Sequence, residues 1–249
     1  MLVLQFTDPH LTGSPDLRVR GVATAETLAR CVAHARRRHP HPDAVLLTGD
    51  LVHDDPAGYA ALAAQFRDLQ APVHCLPGNH DEPADVRRAL AGEPFAHEFA
   101  TRYGNWAIVM LDSTVRGEHG GHLGDAELAQ LDAALAAQPD AFTLVCLHHH
   151  PVPHGSAWLD VLMLDNAAEF FAMLARHRNV RAIAWGHTHQ PFEGMHGGIR
   201  LMGTPSTCMQ FAQDAPEFEV DDRPPAYRWI ELGEDGGLET GIEWVREHA

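Results

Sequence analysis

The sequence predicts a layered α/β fold, and three observations carry that expectation. Short apolar runs rich in Val, Leu and Ile alternate with Ala- and Leu-rich segments of helical period. The polar clusters of the chain lie just beyond the ends of those apolar runs, where loops converge at the carboxyl ends of strands. At 249 residues the chain can bury a substantial core as one large domain or two small ones, and a single domain over residues 1–249 is the expectation.

Each element follows in order. Leu2 to Phe6 reads as the first strand, and Thr24 to Arg38 as a helix whose last turn holds Arg36, Arg37 and Arg38, where positive charge suits the helix dipole. After Pro40-His41-Pro42 comes the apolar strand Ala44 to Leu47, ending at Thr48-Gly49-Asp50. Pro56 to Leu69 is helical by period, and Val73 to Leu76 is a strand that runs into a Pro-Gly turn. Strands are expected at Trp106 to Leu111 and Thr143 to Leu147, with a helix from Asp125 to Ala137 between them. A helix from Ala167 to Arg176 precedes a strand from Val180 to Trp185. Pro191 to Met202 reads as a hairpin turning at Gly197-Gly198, and the acidic, Pro-rich stretch Pro216 to Pro225 as a surface excursion. No internal repeat is evident.

Composition narrows the function classes. Hydrophobic content of 45% with 21% charged residues is ordinary for a globular protein and argues against disorder. A formal net charge of -16 gives a polynucleotide backbone a repulsive average field, which disfavours nucleic acid as a partner. Four scattered cysteines with no CxxC pairing argue against a disulfide framework, and the apolar neighbours of Cys31, Cys75 and Cys146 suit buried thiols. The N-terminus enters a strand at once, and no apolar run is long enough to span a bilayer, so a cytoplasmic protein without a membrane partner is expected.

The segment Leu76-Pro77-Gly78-Asn79-His80-Asp81 is the most informative stretch. A tight loop there presents an amide oxygen beside an imidazole. Further polar clusters recur in order: Asp8-Pro9-His10, Gly49-Asp50, His148-His149-His150 and Gly186-His187-Thr188-His189. Each has an ordinary explanation alone, since Asp8 and His10 suit a turn, Asp50 a helix cap and Asn79 a left-handed turn. Of the 19 histidines, His34, His39, His41, His53, His74, His97 and His248 are expected to lie outside any site. The joint order of carboxylate, imidazole and amide at successive strand ends favours a metal site instead. Oxygen donors mixed with imidazoles, without thiolate, suit manganese, iron or zinc, and Asp50 is the natural bridge between two ions.

The ordered set DPH, GDLVHD, PGNHD, HHHPVP and GHTHQ resembles the calcineurin-like metallophosphoesterase superfamily, within it the bacterial class III 3′,5′-cyclic AMP phosphodiesterases. Gly21 to Thr24, Ser156 to Asp160, Thr204 to Cys208 and Tyr227 to Leu232 extend the likeness over nearly the whole chain. The resemblance implies an α/β/β/α sandwich with two mixed sheets flanked by helices. It implies two divalent or mixed-valence metal ions, iron and manganese first and zinc second. Asp8, His10 and His189 would hold one ion, Asn79, His148 and His187 the other, and Asp50 would bridge them. Catalysis would fall to His80 and Asp50, with Asn79, His80 and His189 also touching substrate, while His149 and His150 stay outside the ligand set.

The implied reaction is hydrolysis of 3′,5′-cyclic AMP, a small-molecule cyclic nucleotide, to 5′-AMP, by in-line attack of hydroxide shared between the metals. A broad-specificity phosphodiesterase or nucleotidase, including one acting on 2′,3′-cyclic nucleotides, keeps the same ligands and stays open. A superfamily nuclease or a non-catalytic metal-binding scaffold fits less well. Pro9 departs from the Thr or Ser expected between the first Asp and His, but both ligands remain. Trp158, Asn166 and Thr207 are candidates for the base-binding wall, and a homodimer is left open.

Overall fold

The computed structural model describes residues 1–246, so His248 lies outside the described residues. In chain order the elements are β1 Leu2–Phe6, α1 Thr24–Arg38, β2 Ala44–Thr48, α2 Gly58–Phe66, β3 Val73–Leu76, α3 Pro83–Ala89 and β4 Phe95–Ala96. They continue with β5 Ala100–Tyr103, β6 Trp106–Met110, α4 Asp125–Ala137, β7 Phe142–Cys146, α5 Ala157–Asp160, α6 Ala167–Leu174 and β8 Val180–Trp185. The chain closes with β9 Phe192–His196, β10 Ile199–Gly203, β11 Gln210–Phe211, β12 Val220–Asp221, β13 Ala226–Leu232 and β14 Leu238–Trp244.

Two mixed sheets result, one in the order β14-β13-β1-β2-β3-β4 and the other β5-β6-β7-β8-β10-β9, with β11 and β12 forming a separate ribbon. The inner strands β1, β2 and β3 are parallel, as are β6, β7, β8 and β10. Such strands are covered on both faces and read as nearly continuous apolar runs, as Ala44-Val45-Leu46-Leu47 does.

Alternation along each strand separates the layers. Val3, Ala44, Leu46 and Ile230 of the first sheet meet Ile108, Leu144, Ala182 and Ala184 of the second in a core between the sheets. On the outer face of the first sheet, Leu4, Phe6, Val45 and Leu47 pack against Leu28, Cys31 and Leu62 of α1 and α2 and Val86 of α3. On the outer face of the second, Val109, Val145 and Ile183 pack against Leu128 and Leu131 of α4 and Phe170 and Leu174 of α6. The expected α/β/β/α layering is therefore present.

Helix α1 has the bounds the period predicts. Its buried face runs through Thr24, Thr27, Leu28, Cys31, Val32 and Ala35, and its last turn carries the three arginines. The Gly197-Gly198 turn also forms between β9 and β10, with φ of 56° and 87°. Those positive values are what a two-residue hairpin loop demands and what glycine supplies without strain. Helix α2 is shorter than predicted, because Asp55 captures the Ala57 N–H at 3.1 Å and its carbonyl accepts from Gly58, which turns the chain before the helix begins. The stretch expected as a surface excursion is partly ordered: Val220 and Asp221 pair antiparallel with Phe211 and Gln210. Among the described residues no helix is long and apolar enough to cross a membrane.

Candidate metal centre

The polar clusters predicted from sequence converge on one rim. Asp8 and His10 follow β1, Asp50 follows β2, and Asn79 and His80 follow β3. From the second sheet, His148 follows β7, and His187 and His189 follow β8. Parallel strands side by side release their loops at the same edge, so residues distant in sequence meet.

The backbone is bent to make this happen. Asp8, His10, Asp50, His187 and His189 all have φ between 46° and 62°, the left-handed region that costs a non-glycine residue roughly 1 to 3 kcal/mol. Such strain persists where the surrounding structure demands it. A Cβ on Gly186 would lie 2.6 Å from Asp8 Oδ2, and one on Gly78 would overlap the Asp50 backbone nitrogen and Oδ1. Both glycines let two loops close to within contact distance.

Hydrogen bonds fix which atoms face inward. The Asp8 carboxylate accepts from Thr7 Oγ1 at 2.6 Å and from the His187 amide at 3.0 Å. His148 Nδ1 donates to the Thr48 carbonyl at 2.8 Å and His189 Nδ1 to the Met209 carbonyl at 2.8 Å, so each ring turns its Nε2 toward the rim. His189 Nε2 lies 3.2 Å from His10 Nε2 and 3.4 Å from Asp8 Oδ1. His148 Nε2 lies 3.2 Å from Asn79 Oδ1 and 3.3 Å from His187 Nδ1. Asp50 stands between the two groups, with Oδ2 3.5 Å from His10 Nε2 and Oδ1 3.4 Å from His148 Nε2. Oδ1 also accepts the His80 amide at 3.0 Å.

Electrostatics prepares these groups as ligands. Burial holds His10 and His187 well below the ordinary imidazole range, so both offer lone pairs near neutral pH. Burial pushes the Asp50 carboxyl up, but His148, with His10 and His80, outweighs it and holds the group well below the usual carboxylate range. Burial also lowers His148, yet Asp50, Asp8 and the Thr48 carbonyl carry it up to about 9. Converging lone pairs on oxygen and nitrogen repel unless a cation joins them. Asp8, His10 and His189, and Asp8, Asp50 and His148, are therefore grouped closely enough to hold metal ions, as are His148, His149 and His187, and His10, His53 and His80.

Asp81 ties the loops after β2 and β3 to each other and to helix α2. Its carboxylate accepts from the amides of Leu51 and Gly78 at 3.0 Å and 2.9 Å and from the Tyr59 hydroxyl at 2.7 Å. Burial and the Asp50 charge still raise it to about 6.

Three expectations need correction. His53, expected outside the site, lines the cleft above it, with Nδ1 3.2 Å from His10 Nδ1 and its ring stacked 4.8 Å from His80. Its position three residues after Asp50, in the same motif, was the available signal. Asn166 does not reach the cleft, because its side chain brackets Leu123, accepting from the amide at 3.1 Å and donating to the carbonyl at 2.7 Å. Thr207 is buried, its hydroxyl donating to the Thr7 carbonyl at 3.2 Å. Trp158 does line the cleft, beside Phe211, Phe218 and Arg20, none of which sequence reading singled out. His119 was also missed; its Nδ1 lies 3.3 Å from Asn79 Nδ2, and no local pattern marks it. His149 lies close enough to His148 and His187 to share a metal ion with them, yet both of its ring nitrogens have other partners. Its Nδ1 is 2.8 Å from Ser113 Oγ and its Nε2 3.2 Å from the His119 carbonyl, which occupies both nitrogens.

Fold and site together define a metallophosphoesterase, and comparison with known proteins agrees. The chain belongs to the calcineurin-like phosphoesterase family, which its residues 1–191 match. The 3′,5′-cyclic adenosine monophosphate phosphodiesterase CpdA of Pseudomonas aeruginosa is 39% identical over 246 residues, covering 98% of this chain and 90% of that protein. The Escherichia coli K12 protein of the same name is 38% identical over 243 residues, covering 96% and 88%. Among solved structures, a dimetal phosphatase from Danio rerio has the same fold, with a TM-score of 0.70 at 15% identity over 99% of each chain.

Proposed function

We propose that this protein hydrolyses 3′,5′-cyclic AMP to 5′-AMP at a centre of two metal ions. Asp8, His10 and His189 would hold one ion, Asn79, His148 and His187 would hold the other, and Asp50 would serve both. The observation that carries this reading is Asp50 itself: its two carboxylate oxygens face His10 on one side and His148 on the other, at 3.5 Å and 3.4 Å. The substrate is supported by the Pseudomonas aeruginosa and Escherichia coli relatives, whose names specify it and whose similarity spans nearly all of this chain. Iron and manganese are the first choice of metal and zinc the second, because the donors are nitrogen and oxygen without thiolate.

Bound ions would supply Lewis acidity, activating water near neutral pH and offsetting charge on the phosphate oxygens. The chain's own residues supply the rest. Water attacking phosphorus opposite the 3′ oxygen leaves a 5′-monophosphate, and the departing oxygen needs a proton. We assign that role to His80. Its Nδ1 is 3.0 Å from Asp54 Oδ1, so the carboxylate orients the ring and leaves Nε2 for the leaving oxygen. Asn79 and His189 also line the cleft wall and would flank the phosphate. We read the chain as one domain, since both sheets contribute ligands to this rim, and as cytoplasmic, in keeping with four unpaired, buried thiols.

The test is steady-state hydrolysis of 3′,5′-cyclic AMP by metal-stripped protein reloaded with manganese, beside bis-p-nitrophenyl phosphate. Turnover of both, with 5′-AMP as product, is expected. Turnover of the aryl diester alone would keep the metal centre and refute the substrate.

A further inference from the structure

The cleft over the metal centre has a volume of about 320 Å³, within the range of small-molecule sites. One side of it is the donor cluster. The other is aromatic, and nothing in the hydrolytic chemistry described above requires it. Resting on the cyclic nucleotide reading of this site, we infer that Trp158, Phe211 and Phe218 form the wall that takes the nucleobase, and that they hold it by its ring face.

Four observations support this. The three rings contact one another edge to face, each pair with centroids 5.2 Å apart at interplanar angles of 68° to 76°. Phe211 lies flat on the His189 ring, 4.0 Å away and 6° from parallel, so the wall begins on a residue of the metal centre. The Arg20 guanidinium sits 4.9 Å over the Phe218 ring, and Phe218 is 41% exposed, an aromatic that no core accounts for. Trp158 Nε1 has no hydrogen-bond partner, so ring contacts rather than a polar anchor hold the indole in place.

The chemistry of the wall sets what it reads. Ring faces stack on any base, and Arg20 is a donor only, so it cannot accept from the adenine amino group. Stacking on this wall therefore does not favour adenine over guanine. The wall distinguishes a nucleotide from a phosphodiester without a base, rather than one purine from another.

The experiment compares 3′,5′-cyclic AMP with the 3′,5′-cyclic phosphate of methyl β-riboside, which lacks a base, in wild type, Phe218→Ala, Phe218→Tyr and Trp158→Leu. The wild type should have a KM for cyclic AMP about tenfold below that for the base-free compound. Phe218→Ala and Trp158→Leu should remove most of that difference through KM, with kcat for cyclic AMP within about twofold, and Phe218→Tyr should keep it. Equal KM for both compounds in the wild type would overturn the wall and leave the metal-centre reading standing. A fall in kcat of the same size on both compounds in the Phe218→Ala variant would also overturn it. Turnover of neither compound by the wild type would instead refute the cyclic nucleotide reading, and the wall with it.

Discussion

Replacing Gly78 with alanine should cripple the centre without removing a single ligand. Gly78 does not need glycine for its backbone angles, because it is absent from the positive-φ residues, so the effect is purely steric. An added Cβ would overlap the Asp50 backbone nitrogen and Oδ1 and lie 2.8 Å from His148 Cε1. Restoring ordinary carbon contacts requires a shift of about 1 Å. The atom in the way is backbone, so the loop carrying Asp50 must move rather than a side chain swing aside. Overpacking of this kind costs about 1 to 3 kcal/mol of stability. A displacement of about 1 Å at the shared carboxylate costs roughly a hundredfold in rate. The assay pairs kcat/KM for cyclic AMP, with manganese, with the urea midpoint and metal content of the same preparation. We expect a folded variant whose activity falls far more than its stability. Wild-type kcat/KM would refute the reasoning, because it would mean that the Asp50 loop yields freely and its position is not held by this contact.

Further predictions follow from the same geometry. His80→Ala should lose about 10² to 10⁴ in kcat on cyclic AMP and much less on bis-p-nitrophenyl phosphate, whose leaving group needs no proton; equal losses would argue against the acid role. In the metal-free protein His148 is raised to about 9, so a metal must displace its proton. Apparent manganese affinity should climb as pH rises toward about 9 and then level, with proton release visible by calorimetry in two buffers; affinity flat from pH 7 to 9 would contradict this. The same raised value makes the Asp50 and His148 pair fully stabilising below the unfolded pKa of about 6.5, and that contribution is lost as pH rises through about 9. The thermal midpoint of metal-free protein should fall across that window. Asp81→Asn leaves an amide where a carboxylate gathers the Leu51 and Gly78 amides and the Tyr59 hydroxyl. We expect a loss of about 1 to 3 kcal/mol in urea unfolding, and an unchanged midpoint would remove the loop-tying role.

The parts of this molecule that local chemistry dictates were readable in advance. Inner strands such as Ala44–Thr48 announce themselves as unbroken apolar runs, and α1 by its buried stripe through Leu28, Cys31 and Ala35. Each proposed ligand follows a strand end, so their order in sequence foretold their convergence. What was missed depends on tertiary context. Strand β14, Leu-Glu-Thr-Gly-Ile-Glu-Trp, is half-buried along nearly its whole length at the sheet edge, with no alternation of burial, and is made a strand by its pairing with β13. Helix α3 spans only seven residues, too few for a period to show. Phe211 and Phe218 reach the cleft because the β11 and β12 ribbon folds back over it, far in sequence from Trp158. Asn166 looked available as a base-binding residue, yet backbone groups of Leu123 occupy its amide.

Asp50 is proposed to join two metal ions in one catalytic unit. The most direct test is metal content per chain, by inductively coupled plasma mass spectrometry, of wild type and Asp50→Ala, measured beside cyclic AMP turnover. We expect two ions per wild-type chain, and at most one ion with no turnover in a folded variant. An Asp50→Ala protein that keeps two ions and near-normal turnover would contradict it.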